Sequence, residues 1–354
     1  MWTGPTVCAP ELRADDARSW AAAVEGHDVL VWDNYPVNDA LMTRSLHLGA
    51  YRGREPELAE VVRGVLCNPM TQARASMVPL ATAMEFLRDP DAYDAHESWA
   101  SAIADVGGHR APALGVLARA CTDSPIASPD ALQLAELVDA LEDELDGPGW
   151  TAAVAEVAAE LRAARELPDA FAGDDSLAVE VAPWARAARA AADAGLAALR
   201  LIQASRPVAT VGEDGRGHAV RPDPEPAMHA AFAVLYVWSG ARADENVVYG
   251  PRFAIYTPVV QLPDGAPALD AAAALRENAN AIDALCRLAL RTYDDWRLHA
   301  SDAPLRVFVD GAERVCAPDG TFDATGSMIM LRQGALCTRL ARGQALPFSD
   351  RRLS

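Results

Sequence analysis

Val29 to Trp32 form an unbroken apolar run that stops abruptly at Asp33-Asn34, and this constrains the fold more than any other stretch of the chain. A strand that is apolar at every position, rather than at every second one, reads as a parallel strand covered on both faces. Its polar exit continues as Tyr35-Pro36-Val37-Asn38-Asp39, so an aromatic plate, two amides and two carboxylates crowd the mouth of a buried strand. Aromatics combined with short polar groups suit a sugar. The plate packs the apolar face of a pyranose, and the carboxylates and amides divide its hydroxyls.

A second unit of the same kind follows. Val61-Val62 and Val65-Leu66-Cys67 form a short apolar run ending at Asn68, and Pro69 fits the first position of a helix capped by Asn68 and continuing through Met77, Leu80, Met84 and Leu87. Strand, polar mouth and helix make up the repeating unit of a (β/α) barrel, whose functional residues sit at the carboxyl ends of strands. Thr3, Asn34 and Asn68 fall where that rule places them. The expected fold class is therefore α/β: a partial (β/α)8 TIM-type barrel of about three strand-helix units, then an α-helical bundle, then a small α+β unit. So few parallel strands leave open edges and uncovered faces. The expectation is that an upstream-encoded chain completes the barrel or that the start of this sequence is internal to a longer one.

Met1-Trp2-Thr3-Gly4-Pro5, Trp32 to Asp39 and Asn68-Pro69-Met70, in this order and spacing, resemble glycoside hydrolase family 84, the N-acetyl-β-glucosaminidases that include the O-GlcNAc hydrolases and hyaluronidase-like members. The likeness continues through Gly49, Tyr51-Arg52-Gly53-Arg54, Gln72-Ala73, Asp89-Pro90, Tyr93 and Ser98-Trp99-Ala100 to Ile103. It implies an N-acetylglucosamine-containing glycan or glycoprotein as partner, no cofactor, and five substrate-binding residues. Trp32 would wall the pocket for the acetamido methyl. Asn34 and Asn68 would hydrogen-bond the sugar, Asp39 would grip the hydroxyls at C4 and C6, and Thr3 would line the same pocket. Each has a plainer alternative: Trp32 as a packing tryptophan, Asp39 as a helix cap ahead of Ala40 to Leu46, Asn68 as the cap of the helix after it, and Thr3 as a fraying terminal residue. Asp33 and Asn38 alternate with these positions and are expected to orient the loop.

The resembled family uses substrate-assisted catalysis. The sugar's 2-acetamido oxygen attacks the anomeric carbon to form an oxazoline, while one aspartate orients the acetamide N–H and its neighbour serves as general acid and then base. That Asp-Asp pair is expected upstream of Met1, so no catalytic residue is assigned within the chain. Asp15-Asp16, Asp174-Asp175 and Asp294-Asp295 are the alternative pairs, and none ends an expected barrel strand. The polypeptide alone is expected to be inactive. The competing readings are a non-catalytic sugar-binding relic and a helical interaction protein.

Composition excludes other classes. With a formal net charge of −19, the 354-residue chain offers no basic surface for nucleic acid or anionic lipid. No apolar run approaches the roughly 18 residues of a membrane span, and the first residues show no export signal, so a cytoplasmic location is expected as written, with secretion open if the true start lies upstream. All 31 basic residues are arginine, which reads as coding bias. Cys8, Cys67, Cys121, Cys286, Cys316 and Cys337 lack a CxxC or metal-ligand spacing and are expected to be buried free thiols. The histidines (27, 47, 96, 109, 218, 229 and 299) lack an HExxH pattern, so no metal site is expected; no GxSxG elbow or phosphate loop occurs.

Downstream of the barrel part, residues 1–121, the segment 122–204 reads as a helical bundle. Leu134, Leu137, Val138, Leu141 and Leu145 form one stripe, Val154, Val157, Ala158 and Leu161 a second, and a third helix runs from about Trp184 to Ile202. Residues 205–226, rich in Pro, Gly and charge, read as a linker. Residues 227–354 read as an α+β unit without recognisable chemistry. Its expected elements are an apolar stretch at 232–238, strands at 247–249 and 253–260, a helix carrying Ile282 to Trp296, and a small sheet from Leu305–Val309, Val315-Cys316 and Met328–Leu331.

Overall fold

The computed structural model describes residues 1–122, 124, 126–127, 133–231 and 281–341. The apolar stretch at 232–238 and the strands expected at 247–249 and 253–260 lie outside the described residues. Among the described residues two compact units emerge: one holds residues up to Gln133 with Ala163–Ala190, the other Leu134–Arg162 with residues 191–231 and 281–341. Both boundaries after residue 133 fall inside helices.

The first unit is mixed α/β. β1 (Leu30–Asp33) pairs in parallel with β2 (Gly64–Cys67), in register Leu30↔Gly64 to Asp33↔Cys67. Trp2 adds a parallel bridge to Val31 on the other side, donating its N–H to the Leu30 carbonyl at 2.8 Å and accepting from the Trp32 N–H at 2.8 Å. Three parallel segments thus lie side by side, and the small sheet is not closed.

The expectation that β1 is covered on both faces is corrected. Burial alternates along it: Val31 and Asp33 are buried, whereas Leu30 is 39% exposed and Trp32 37%. Leu66, opposite Trp32 on β2, is 49% exposed and extends the same open face. The physical reason is that, among the described residues, only one face has a covering layer. Trp2, Leu12, Val29, Val31 and Leu58 pack there with Ala17 of α1 (Ala14–Ala23). Arg13 gives α1 no side-chain cap, and the Glu55 carboxylate takes the role instead, accepting the Ala14 N–H at 2.8 Å.

α2 (Met77–Arg88), α3 (Ala95–Gly107) and α4 (Ala111–Arg119) follow. The helix expected from Pro69 begins only at Met77. Residues 69–76 stay out of the helix, the last four as a turn, because side chains take their backbone groups: Ser76 Oγ accepts the Met70 N–H at 3.1 Å, and Glu180 accepts the N–H groups of Arg74 and Ala75 at 3.1 and 2.9 Å. Such local side-chain bonds compete with a helical ladder. Asn68 is therefore no helix cap. Likewise, the helix expected over Ala40 to Leu46 is a single 3-10 turn, Ala40–Met42.

The bundle helices are α5 (Gln133–Glu144), α6 (Trp150–Arg165), the short α7 (Leu167–Ala170) and α8 (Ser176–Ala204), the last starting eight residues before the expected Trp184. Residues 205–226 are not a bare linker. β3 (Val208–Val211) and β4 (Arg216–Val220) form an antiparallel hairpin whose turn uses Gly215 at φ +77°, and β4 pairs with β7 (Thr321–Asp323). Gly217 faces Phe322 across that pair, close enough that a Cβ would meet the ring, so glycine here makes room for an aromatic.

The expected helix of the last unit is α9 (Ala281–His299). The expected small sheet has strand order β6-β5-β8-β9, from β5 (Leu305–Val309), β6 (Ala312–Arg314), β8 (Met328–Gln333) and β9 (Leu336–Ala341). The strand expected at Val315-Cys316 lies slightly earlier, because Gly311 at φ +82° makes a tight turn that brings Ala312 opposite Val309. Ala219, Phe322, Val307, Val309, Ile329 and Leu331 make one core shared by the two antiparallel sheets. Among the described residues no helix is long and apolar enough to cross a membrane.

Candidate functional site

The parallel register places the candidate residues. Val31 is level with Trp2 and with Val65, so Thr3 lies level with Trp32, while Asn34 and Asn68 come immediately after the paired Asp33 and Cys67. Trp32 and Asn34, two positions apart at the end of a strand, share a face. The Trp32 indole N–H accordingly donates to Asn34 Oδ1 at 2.9 Å, and Asn68 Nδ2 donates to the same oxygen at 3.3 Å. Asn34 Nδ2 makes a short bond to the Val7 carbonyl, drawing the segment after Trp2 toward the strand ends.

This arrangement fixes what the amides can offer. Both lone pairs of Asn34 Oδ1 are used and one of its two N–H donors is spent. One N–H of Asn34, one N–H of Asn68 and the oxygen of Asn68 remain for a ligand. The indole of Trp32, held at its N–H, presents a plate that is 37% exposed.

Thr3 is half-buried beside Trp2, and no side-chain bond joins it to this trio. Asp39 is exposed at the N-cap position of the Ala40–Met42 turn, but its side chain makes no cap hydrogen bond. The turn is formed by its backbone carbonyl, which accepts the Met42 N–H at 2.8 Å. Ala40 follows with φ +47°, a left-handed conformation disfavoured for a residue with a Cβ and common where a loop is held for function. The structure thus joins Trp32, Asn34 and Asn68 directly and sets Thr3 and Asp39 on the adjoining segments.

Beneath the amides lies a buried charged cluster. Asp33 accepts from Arg54 Nε at 2.8 Å and Nη2 at 2.5 Å, from the Tyr51 hydroxyl at 2.6 Å and from the Tyr35 N–H at 2.9 Å. Both side chains of the ion pair are 2% exposed. The Arg54 guanidinium lies 4.9 Å from the Tyr51 ring centroid and 5.7 Å from that of Tyr35, within cation–π range. Burial pushes the Tyr51 hydroxyl well above its usual pKa, with the Asp33 charge adding to it. Burial opposes the charge on Arg54, but the Asp33 hydrogen bonds and charge prevail and raise its pKa.

Asp33 thus binds the start of the loop after β1, through the Tyr35 N–H, to the Arg54 guanidinium and the Tyr51 hydroxyl. Arg54 and Tyr51 were legible only as part of a motif. The missed signal was the charge itself: an aspartate ending a buried strand requires a buried cation.

The same environment makes Cys67 inert. Burial, with the nearby Asp33 charge, pushes its thiol up to about 12, opposed by Arg54. The thiolate is the reactive form, so iodoacetamide at about pH 8 is expected to label exposed Cys8 promptly and leave Cys67 unlabelled until the protein unfolds. Peptide mapping that found Cys67 labelled as fast as Cys8 would contradict this. Not all thiols are buried as expected: Cys8 is exposed, Cys67, Cys316 and Cys337 are half-buried, and only Cys121 and Cys286 are fully enclosed.

Of the alternative carboxylate pairs, none sits at an end of the parallel sheet. Asp15-Asp16 opens α1, with Asp15 bound to Arg18 at 2.9 Å. Asp175 caps α8 through the Ala178 N–H at 3.1 Å and pairs with Arg110 at 2.6 Å; those contacts, the backbone bond foremost, lower its pKa. Asp294 lies buried on α9, 3.2 Å from Arg297, and burial raises its pKa. No group of three or more potential metal ligands occurs among the described residues.

Comparison with known proteins bears on the family and the fold. The family model described as beta-N-acetylglucosaminidase matches residues 1–119. The rat and mouse proteins named Protein O-GlcNAcase are each 35% identical over 82 residues, which is 23% of this chain and 9% of theirs. Among solved structures, a mutant of the O-GlcNAc hydrolase of Thermobaculum terrenum superposes with a TM-score of 0.59 at 20% identity, covering 82% of this chain and 54% of that one. The structure of CpGH84B gives 0.58 at 21% identity, covering 68% and 41%. These structural matches speak to fold, and they extend well beyond the first third of the chain. The chain matches less than a tenth of the length of the curated relatives and about half of the longer-covered structure. Residues 1–119 relate this chain to glycoside hydrolase family 84.

Proposed function

We propose that the first unit forms the sugar-gripping rim of a β-N-acetylglucosaminidase-type site for N-acetylglucosamine-containing glycans or glycoproteins, the class of substrate named in the O-GlcNAc hydrolase relatives. The observation that carries this reading is the convergence of Trp32, Asn34 and Asn68 at neighbouring ends of parallel strands. Ends of parallel strands are where a (β/α) barrel gathers its functional residues. Trp32 walls the acetamido pocket, Asn34 and Asn68 offer two donors and an acceptor, Thr3 lines the same pocket, and Asp39 accepts from sugar hydroxyls.

The strands are assigned to a TIM-type barrel whose remaining strands cover the face exposed at Leu30, Trp32 and Leu66, supplied by an upstream-encoded segment or chain. An apolar sheet face of this kind is stable only when another layer removes it from water. Since none of Asp15-Asp16, Asp174-Asp175 and Asp294-Asp295 stands at a strand end of this sheet, the acid-base carboxylates are assigned to that further segment.

The test is a calorimetric titration with N-acetylglucosamine, run beside a hydrolysis assay with a chromogenic N-acetylglucosaminide. Saturable binding that glucose does not reproduce, lost in Trp32→Ala, together with background turnover, is the expected result. Absence of binding would overturn the rim assignment. Turnover above background that disappears in Asp39→Ala would overturn the placement of the acid-base pair elsewhere.

A further inference from the structure

Asn38 is 2% exposed, lies between the proposed sugar contacts Asn34 and Asp39, and points none of its polar atoms at a ligand. Its Nδ2 donates to the Ser45 carbonyl at 2.9 Å and to Gln72 Oε1 at 2.8 Å, and its Oδ1 accepts the Thr71 N–H at 3.2 Å. Gln72 Oε1 also accepts from the Thr71 hydroxyl at 3.2 Å. Two of these partners belong to the loop after β2, which carries Asn68, whereas Asn38 and Ser45 bracket the loop after β1, which carries Asp39.

The second loop is in turn fixed from behind. Ser76 Oγ accepts the Met70 N–H and donates to the Gln72 carbonyl at 2.8 Å, and Glu180 of α8 grips the N–H groups of Arg74 and Ala75. A carboxylate accepting two backbone N–H groups makes charge-assisted bonds, stronger than neutral ones. The turn from Gln72 to Ser76 is thus a fixed post, and Asn38 ties the strained corner at Asp39-Ala40 to it.

We propose that Gln72 is a positioning residue. Through the buried amide of Asn38 it couples the loop bearing Asp39 to the loop bearing Asn68, so that the two proposed sugar-binding groups are held at one spacing. The proposal rests on the rim reading above. It accounts for a feature that packing does not: a buried asparagine that bonds within its own loop through Ser45 and spends its other bonds on Gln72 and Thr71 of the neighbouring loop. Preorganised contacts of this kind spare a ligand the ordering of the loops.

The experiment exploits the fact that the clasp uses Gln72 only as an acceptor. Gln72→Glu keeps two acceptor oxygens on nearly the same side chain, and Gln72→Leu removes them while keeping the bulk. In the full chain, Gln72→Leu is expected to weaken N-acetylglucosamine binding by about tenfold with little change in thermal midpoint, and Gln72→Glu to stay within about threefold of the parent. Hydrogen exchange in Gln72→Leu is expected to rise in residues 39–45 as well as 68–72, although the substitution lies in the second loop alone.

Affinity unchanged in Gln72→Leu, or lost equally in Gln72→Glu, would overturn the proposal. So would faster exchange confined to residues 68–76. If the parent chain binds no N-acetylglucosamine, the rim reading fails, and the exchange comparison still decides whether the clasp exists.

Discussion

Asp33→Ala is expected to lower the unfolding free energy by about 3–5 kcal/mol, the usual consequence of removing one partner of a buried ion pair. The size follows from what is left behind. Arg54 is 2% exposed and would keep its charge, with Nε and Nη2 stripped of their acceptor and only carbonyl groups nearby. The Tyr51 hydroxyl and the Tyr35 N–H would lose their acceptor at the same time. Arg54→Met should cost a comparable amount, now because a buried carboxylate loses its counter-charge and keeps only the Tyr51 hydroxyl and the Tyr35 N–H. The double variant Asp33→Leu/Arg54→Met should recover much of the loss, since an apolar pair of similar volume leaves no uncompensated charge.

Urea denaturation of Asp33→Leu, Arg54→Met and their double variant closes a double-mutant cycle, and a coupling energy near zero would show that the pair is not desolvated. Because the pKa of Arg54 is raised in the folded state, its contribution is fully present below the ordinary arginine value and is lost only as pH rises through the higher one. A series from about pH 6 to 9 should therefore leave the loss attributable to the guanidinium unchanged.

That cluster also shows how far the sequence could be read. The strand-turn pattern at Val29 to Asn34 and at Val65 to Asn68 was enough to predict two parallel neighbours, because an apolar run with a polar exit has few other stable placements. The adjacency of Asn34 and Asn68 followed from it. What the run could not reveal was that Leu30, Trp32 and Leu66 lie on an open face, since coverage of a strand is a property of the layers around it.

Helix onset was misjudged for a related reason. Asn68-Pro69 is a good local start signal, but Glu180, over a hundred residues away in sequence, captures the N–H groups of Arg74 and Ala75 and holds the chain in turns until Met77. The hairpin at Val208 to Val220 was hidden similarly. Its strands are short, and much of what stabilises them is Phe322, which packs over Gly217 from a distant strand. Local composition marked the stretch as a linker because β7, the strand that completes its sheet, lies far along the chain.

Asp39→Ala is expected to behave in the opposite way to Asp33→Ala, although the two carboxylates stand six positions apart. Asp39 is exposed, caps nothing with its side chain, and precedes a residue held at φ +47°. Its removal costs the free protein no hydrogen bond, so the urea midpoint should stay at the parent value. The bound state is different. A carboxylate accepting from sugar hydroxyls makes bonds of the charged class, and a ligand that meets a methyl group instead leaves those hydroxyls desolvated without partners, at roughly 1–3 kcal/mol. That corresponds to a loss of affinity for N-acetylglucosamine of roughly 5- to 150-fold.

Asp39→Asn separates the two parts of this argument. It keeps one acceptor and removes the charge, so its affinity should fall between parent and alanine variant. If Asp39→Ala instead lowered stability while leaving affinity intact, the carboxylate would be a support for the loop, and the contact with the sugar would have to come from Trp32, Asn34 and Asn68 alone.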